Sequence, residues 1–179
     1  MHEQKSKNLG TLYMIPVTLG DDRLSYVLPQ EVMALARKLD HFVVENEKNA
    51  RRFLSNLKTE KPVREINMQV LNEHTDAKDI PALLSPLLAG HDLGMLSEAG
   101  CPGIADPGAA LAEAAHRKGI RVLPLVGPSS ILLGLMASGF NGQQFTFFNR
   151  CHNGIKPCRF HAKIRFLRSI LIINDHNIK

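Results

Sequence analysis

Short apolar runs alternate with longer stretches of helical spacing along most of this chain. The runs are TLYMIPV (11–17), HFVVE (41–45), INMQVLN (66–72), LGMLSE (93–98) and IRVLPLV (120–126), and each predicts a strand. Between them, PQEVMALARKL (29–39) sets Val32, Leu35, Ala36 and Leu39 on one helical face. EKNARRFLSNL (47–57) does the same with Ala50, Phe53, Leu54 and Leu57. DAKDIPALLSPLLAG (76–90) predicts a helix capped by Asp76 or Asp79, kinked at Pro86 and stopped by Gly90. GAALAEAAHRKG (108–119) and PSSILLGLMASG (128–139) predict two more, each ending at glycine. Strand and helix in alternation give an α/β fold: a mostly parallel five-stranded sheet with flanking helices. The near-continuous apolar character of several runs agrees, because parallel strands are buried on both faces.

In such a sheet ligands sit beyond the carboxyl ends of the strands. Three segments reach that edge with Gly-Pro chemistry: PVTLGDD (16–22), SEAGCPGIADPG (97–108) and VGPSS (126–130). A single glycine loop commonly serves a turn, but three at one edge point to a ligand held close to backbone. No G-x-G-x-x-G follows the first strand, and no G-x-x-x-x-G-K-[ST] occurs, which removes the usual dinucleotide and nucleoside triphosphate fingerprints.

Composition adds a boundary. The net charge of +5 is uneven: from Phe148 to Lys179 seven Lys and Arg face one acid (+6), while the rest carries 15 against 16 (−1). Cys151 and Cys158, two of the three cysteines, fall in the same stretch, and so do three of the eight histidines. Such a shift predicts a tail unlike the body. The uneven cysteine spacing makes no disulfide framework. No apolar window is long enough to span a membrane, and the polar start MHEQKSKNLG lacks a signal-peptide core. A cytoplasmic protein with reduced thiols, making no membrane contact, is expected.

Taken together, GTLYMIPVTLGD, SEAGCPGIADPG and LPLVGPSSILLGLMASGF resemble the tetrapyrrole methylase superfamily. They are most similar to its branch that methylates a ribose 2′-hydroxyl in small-subunit ribosomal RNA. That branch shows G-T-L-Y-x-V-P-T-P-I-G-N, S-D-A-G-T-P-x-I-S-D-P-G and P-G-P-S-A…S-G in this order. The resemblance runs over residues 9–147, after a disordered start at 1–8. It implies an S-adenosylmethionine-dependent methyltransferase, binding its cofactor folded in a cleft between two α/β domains, with the small ribosomal subunit as RNA partner; a homodimer is expected from the apolar face that a missing second domain would leave exposed. By motif matching, Ala99, Gly100, Cys101 and Ile104 line the cofactor, Ser129 and Ser130 offer it backbone N–H groups and hydroxyls at a helix start, and Leu19 closes the near wall. Gly100, Gly103 and Gly127 let backbone approach it. Glu45, the one residue kept from the branch's E-D-T-R-x-T, is the candidate general base.

Two departures qualify the resemblance. ENEKNA (45–50) replaces E-D-T-R-x-T, which touches the methyl acceptor more than the cofactor. After GQQFTFF the family continues with G-[FY]-L-P and a second domain, whereas residues 148–179 show nothing of it. A frame-shift or truncated gene is the expectation, and with it a poorly packed tail, weak or undetectable cofactor binding and no turnover. An inactive fragment, or a non-catalytic RNA- or anion-binding module, is the alternative function. No metal site is expected: Cys151, His152, Cys158 and His161 fit no common zinc spacing. The stretch 159–174 is basic with interleaved aromatics, and its SILIIN end is β-prone.

Overall fold

In a computed structural model of the protein, residues 8–20, 23–149, 161–166 and 169–174 are described. The start 1–7 and the Cys151–Cys158 segment lie outside these residues. The chain falls into two compact units, Met1–Pro128 and Ser129–Lys179.

The first unit is the α/β body. In chain order it runs β1 (Thr11–Met14), α1 (Leu24–Val27), α2 (Gln30–Arg37), β2 (His41–Val44), α3 (Glu47–Leu57), β3 (Asn67–Val70), α4 (Ser85–Leu88), β4 (Leu93–Leu96), α5 (Gly108–Arg117) and β5 (Arg121–Pro124). The sheet order is β3-β2-β4-β1-β5, and every pairing is parallel. The five expected strands and their parallel sense are therefore observed.

Burial follows position in the sheet. Central β4 is buried at all its positions, whereas the edge strands β3 and β5 expose both ends. Pro124 sits in edge strand β5, where a missing ladder N–H is tolerated. Two apolar clusters cover the two faces. Ile15, Phe42 and Val44 pack with Val32, Phe53 and Leu54 on one side. Leu12, Val43 and Met95 pack with Leu84, Leu87 and Leu111 on the other. Helix α3 buries Ala50, Phe53, Leu54 and Leu57, the face its spacing predicts, and Asn46 caps it by accepting from Asn49 N at 3.1 Å.

One predicted helix differs. Residues 76–90 form a 3-10 segment, Ile80–Leu84, followed by the single turn α4. Pro81 and Pro86 each remove a backbone donor, so a continuous ladder cannot form. Helix α1 has no buried residue, and this is why no periodicity announced it.

The second unit contains α6 (Ser130–Ala137) and the strands β6 (Thr146–Asn149), β7 (His161–Phe166) and β8 (Ser169–Asn174), which pair antiparallel in the order β6-β7-β8. The β-prone SILIIN window is β8. In α6, Leu132, Leu133 and Met136 are exposed and Leu135 is buried. Among the described residues no helix is long and apolar enough to cross a membrane.

Candidate functional site

Strand order decides what meets at the carboxyl edge. Strands β2, β4, β1 and β5 are consecutive neighbours, so the segments leaving them emerge side by side. Glu45 leaves β2, the Ser97–Gly108 loop leaves β4, Pro16–Gly20 leaves β1 and Leu125–Pro128 leaves β5.

The three loops touch. Val17 N donates to Gly100 O at 2.9 Å, an isolated bridge between the first and second. The Cys101 thiol donates to Pro128 O at 3.2 Å, joining the second to the third. Leu19 lies against Gly100, its Cδ2 3.3 Å from where a β-carbon would stand. Leu19, Gly100 and Cys101 are thus brought together within the first unit, and Ala99 and Ile104 stand on the same loop as Gly100 and Cys101. Ser129 and Ser130 open the second unit: Ser129 Oγ accepts from Leu132 N at 3.5 Å and caps α6.

The glycines have reasons internal to the protein. Gly100 and Gly103 adopt φ of 72° and 83°, left-handed backbone that glycine enters without penalty. Gly127 is different: an added β-carbon would stand 2.2 Å from the Pro16 ring, so the first and third loops close on each other only over a bare α-carbon.

Glu45 is partly buried and accepts from Glu98 N at 2.9 Å through Oε2. Glu98 in turn accepts from Asn49 Nδ2 at 2.8 Å, which ties α3 to the β4 loop. Burial raises the Glu45 carboxyl above its ordinary range, the Glu98 amide opposes this, and the carboxylates of Asp106, Glu98 and Glu73 add to the rise. Burial, with Asp106 nearby, also raises the Cys101 thiol, which makes it a packed neutral group rather than a nucleophile.

The edge that results is acidic, with apolar side chains standing in solvent: Ile104 is 49% exposed and Val126 75%. A small cavity of about 70 Å³ opens beside it, between Thr18, Asn49, Phe53, Ser97 and Glu98. A larger one, about 540 Å³, lies at the opposite edge, where His41 and His91 face each other at 5.1 Å between ring centres. Its size does not make it the site. None of the three glycine loops lines it, and two of its carboxylates are engaged, Asp92 by Thr11 N at 2.7 Å and Asp40 by Lys61. Among the described residues no cluster of His, Cys, Asp or Glu could hold a metal.

The sequence assigned no role to Asp106, which accepts from Gly103 N at 2.9 Å and Gly108 N at 2.7 Å. The available signal was a carboxylate just ahead of a predicted helix start.

No family model matches the chain. Among curated proteins it is similar to ribosomal RNA small subunit methyltransferase I of Xylella fastidiosa, 33% identical over 77% of this chain and 48% of the relative. The Escherichia coli O157:H7 protein of the same name is 26% identical over 94% of this chain and 54% of its own length. That of Streptococcus pyogenes is 31% identical over 83% and 50%. The chain spans about half the length of the curated relatives it matches.

Proposed function

Because the chain is homologous to ribosomal RNA small subunit methyltransferase I over most of its length, we propose that its first unit carries the cofactor edge of an S-adenosylmethionine-dependent methyltransferase acting on a ribose 2′-hydroxyl of small-subunit ribosomal RNA. The observation that carries this reading is the meeting of three glycine loops at one sheet edge in a chain with those relatives. The edge suits the cofactor chemically. A sulfonium is a cation, and Glu45, Glu98 and Asp106 make the edge acidic. An adenosine needs apolar surface, which Ile104, Val126 and Leu19 offer.

S-adenosylmethionine supplies an already activated methyl group, so the protein's share is placement and exclusion of water. In this reading Ala99, Gly100, Cys101 and Ile104 line the methionine and adenosine, Leu19 closes one wall, and Ser129 and Ser130 bind through backbone N–H groups and hydroxyls. Glu45 accepts the hydroxyl proton. One of its oxygens is held by Glu98 N, which fixes its direction, and burial raises its affinity for a proton. The protein acts in the cytoplasm, and the exposed apolar residues of α6 support self-association as a dimer.

Transfer of labelled methyl from S-adenosylmethionine to isolated small ribosomal subunits tests this. Label in the RNA supports the reading. Subunit binding with neither cofactor binding nor transfer overturns it in favour of the non-catalytic RNA-binding module, and absence of all three overturns it in favour of the inactive fragment. Glu45→Gln keeps an acceptor for Glu98 N but cannot take a proton. It should lower transfer by about 10²–10⁴-fold and leave cofactor affinity within a few-fold.

The same variant has a stability signature. A carboxyl whose folded pKa is raised binds its proton more readily in the native state than in the unfolded chain. Its ionisation therefore costs stability progressively as pH rises from the ordinary carboxylate range through the raised value. Glu45→Gln should flatten that decline in urea titrations run across mildly acidic pH. An unchanged slope would show that Glu45 titrates normally.

A further inference from the structure

We infer that Asp106 is the positioning residue of the cofactor loop: it clamps Ser97–Gly108 in its ligand-ready shape without itself touching ligand. This rests on the functional reading above but makes a claim about the loop that can be judged alone.

The geometry is specific. Both carboxylate oxygens of Asp106 lie 2.9 Å from Gly103 N, and Oδ1 also lies 2.7 Å from Gly108 N. The Ile104 amide reaches the same carboxylate. One side chain thus gathers backbone donors from both ends of the segment 103–108 and closes it on itself. Gly108 has no room for a side chain there, since a β-carbon would stand 2.8 Å from Asp106 Oδ1 and 3.1 Å from both Gly103 N and the Met95 methyl.

The closed turn forces unusual backbone. Gly103 is at φ 83°, and Ala105, which has a β-carbon, is at φ 62°. A left-handed alanine is strained by its β-carbon and persists only where its surroundings over-determine it. Asp106 is the group that does so, because its own backbone follows Ala105 directly while its carboxylate holds residues on either side.

The consequence falls on the proposed lining residues. Ile104 sits between two clamped amides and projects into solvent, 49% exposed. Cys101 and Gly100 precede the clamp by a few residues and anchor the other two loops through Pro128 O and Val17 N. Loss of the carboxylate frees three amides at the centre of this arrangement while leaving the sheet intact. The ionisable groups that feel Asp106 are Glu45, at the end of β2, and Cys101, in the same loop.

The test compares Asp106→Ala and Asp106→Asn with the parent chain by ¹⁵N–¹H spectroscopy and thermal melting. Asn keeps the Oδ1 acceptor, so it retains part of the clamp, but it turns a second donor toward Gly103 N. The amide protons of Gly103, Ile104 and Gly108 should be well downfield and slow to exchange in the parent. They should move upfield and exchange at least tenfold faster in Asp106→Ala, with Asp106→Asn between the two. S-adenosylmethionine affinity, read from shifts in the same spectra, should follow the same order, falling tenfold or more in Asp106→Ala. Loop amides unchanged in Asp106→Ala overturn the clamp. Loop amides released without loss of affinity overturn the positioning role, as does an affinity loss that tracks the fall in melting temperature equally in both variants. If the parent shows no cofactor shifts, the functional reading fails, and the amide series still decides the clamp.

Discussion

Phe42→Ala should cost the first unit about 3–5 kcal/mol, the range for emptying a fully buried aromatic site. Phe42 is completely buried in β2, in register with Gly94 of neighbouring β4. Its ring carbons lie 2.7–2.8 Å from where a Gly94 β-carbon would be, and Ile15 Cδ1 lies at 2.8 Å, so the ring and Ile15 share the space that the glycine leaves. The cavity would open at the centre of the sheet, where backbone on both sides is locked in parallel pairing and cannot collapse into it. Domains of this size are stable by about 5–15 kcal/mol, so the variant would stand close to its unfolding threshold. Urea titration should show a lower midpoint with an unchanged slope. The pairing also predicts coupling. Gly94→Ala alone overpacks the ring and Ile15 and should cost about 1–3 kcal/mol, but in the Phe42→Ala background the ring's part of that clash is gone and only Ile15 must give, so the double variant should be more stable than the sum of the singles. Additive costs would mean that the ring does not rest on Gly94.

Gly100→Arg should weaken S-adenosylmethionine binding by about a hundredfold, equivalent to about 2.8 kcal/mol. The residue stands where the three loops meet, with Leu19 Cδ2 at 3.3 Å and Pro128 O at 3.4 Å from the site of a β-carbon. A guanidinium leaving that point must enter the space proposed for the cofactor, and it brings a positive charge against a sulfonium. The substitution also strains a left-handed backbone, at a cost of about 1–2 kcal/mol. Gly119→Arg separates the two effects. Gly119 has a similar φ of 68°, nothing within 4 Å, and a place after α5, away from the loops. It should lose comparable stability and keep its affinity. Equal loss of binding in both variants would assign the effect to folding.

The sheet was legible because burial in a parallel α/β layer writes itself as apolar runs, and the buried face of α3 was legible because four apolar residues recur with its period. The stretch 76–90 was less so. Its apolar residues, Ile80, Leu84 and Leu87, are buried as a helix would bury them, and only the backbone consequence of two prolines distinguishes a 3-10 segment from the helix expected. At the site, sequence located the loops but not the causes of their shape. Gly127 reads as room for a ligand, yet Pro16, distant in sequence, is what excludes a side chain there. Asp106, between Ala105 and Pro107, reads as an ordinary turn carboxylate. Its role depends on the chain folding back to bring Gly103 N within reach, which no periodicity records. Glu45 was found through motif matching, while its partner Glu98 N became visible only once β2 and β4 were neighbours.

The most direct measurement is an S-adenosylmethionine titration of the ¹⁵N-labelled chain to millimolar concentration, following each amide. Saturable shifts are expected at Val17–Gly20, Ser97–Gly108, Val126, Gly127, Ser129 and Ser130, with the β3 edge and the His41–His91 cavity unmoved. Shifts centred on that cavity, or no saturable shift anywhere, would contradict the proposed cofactor edge.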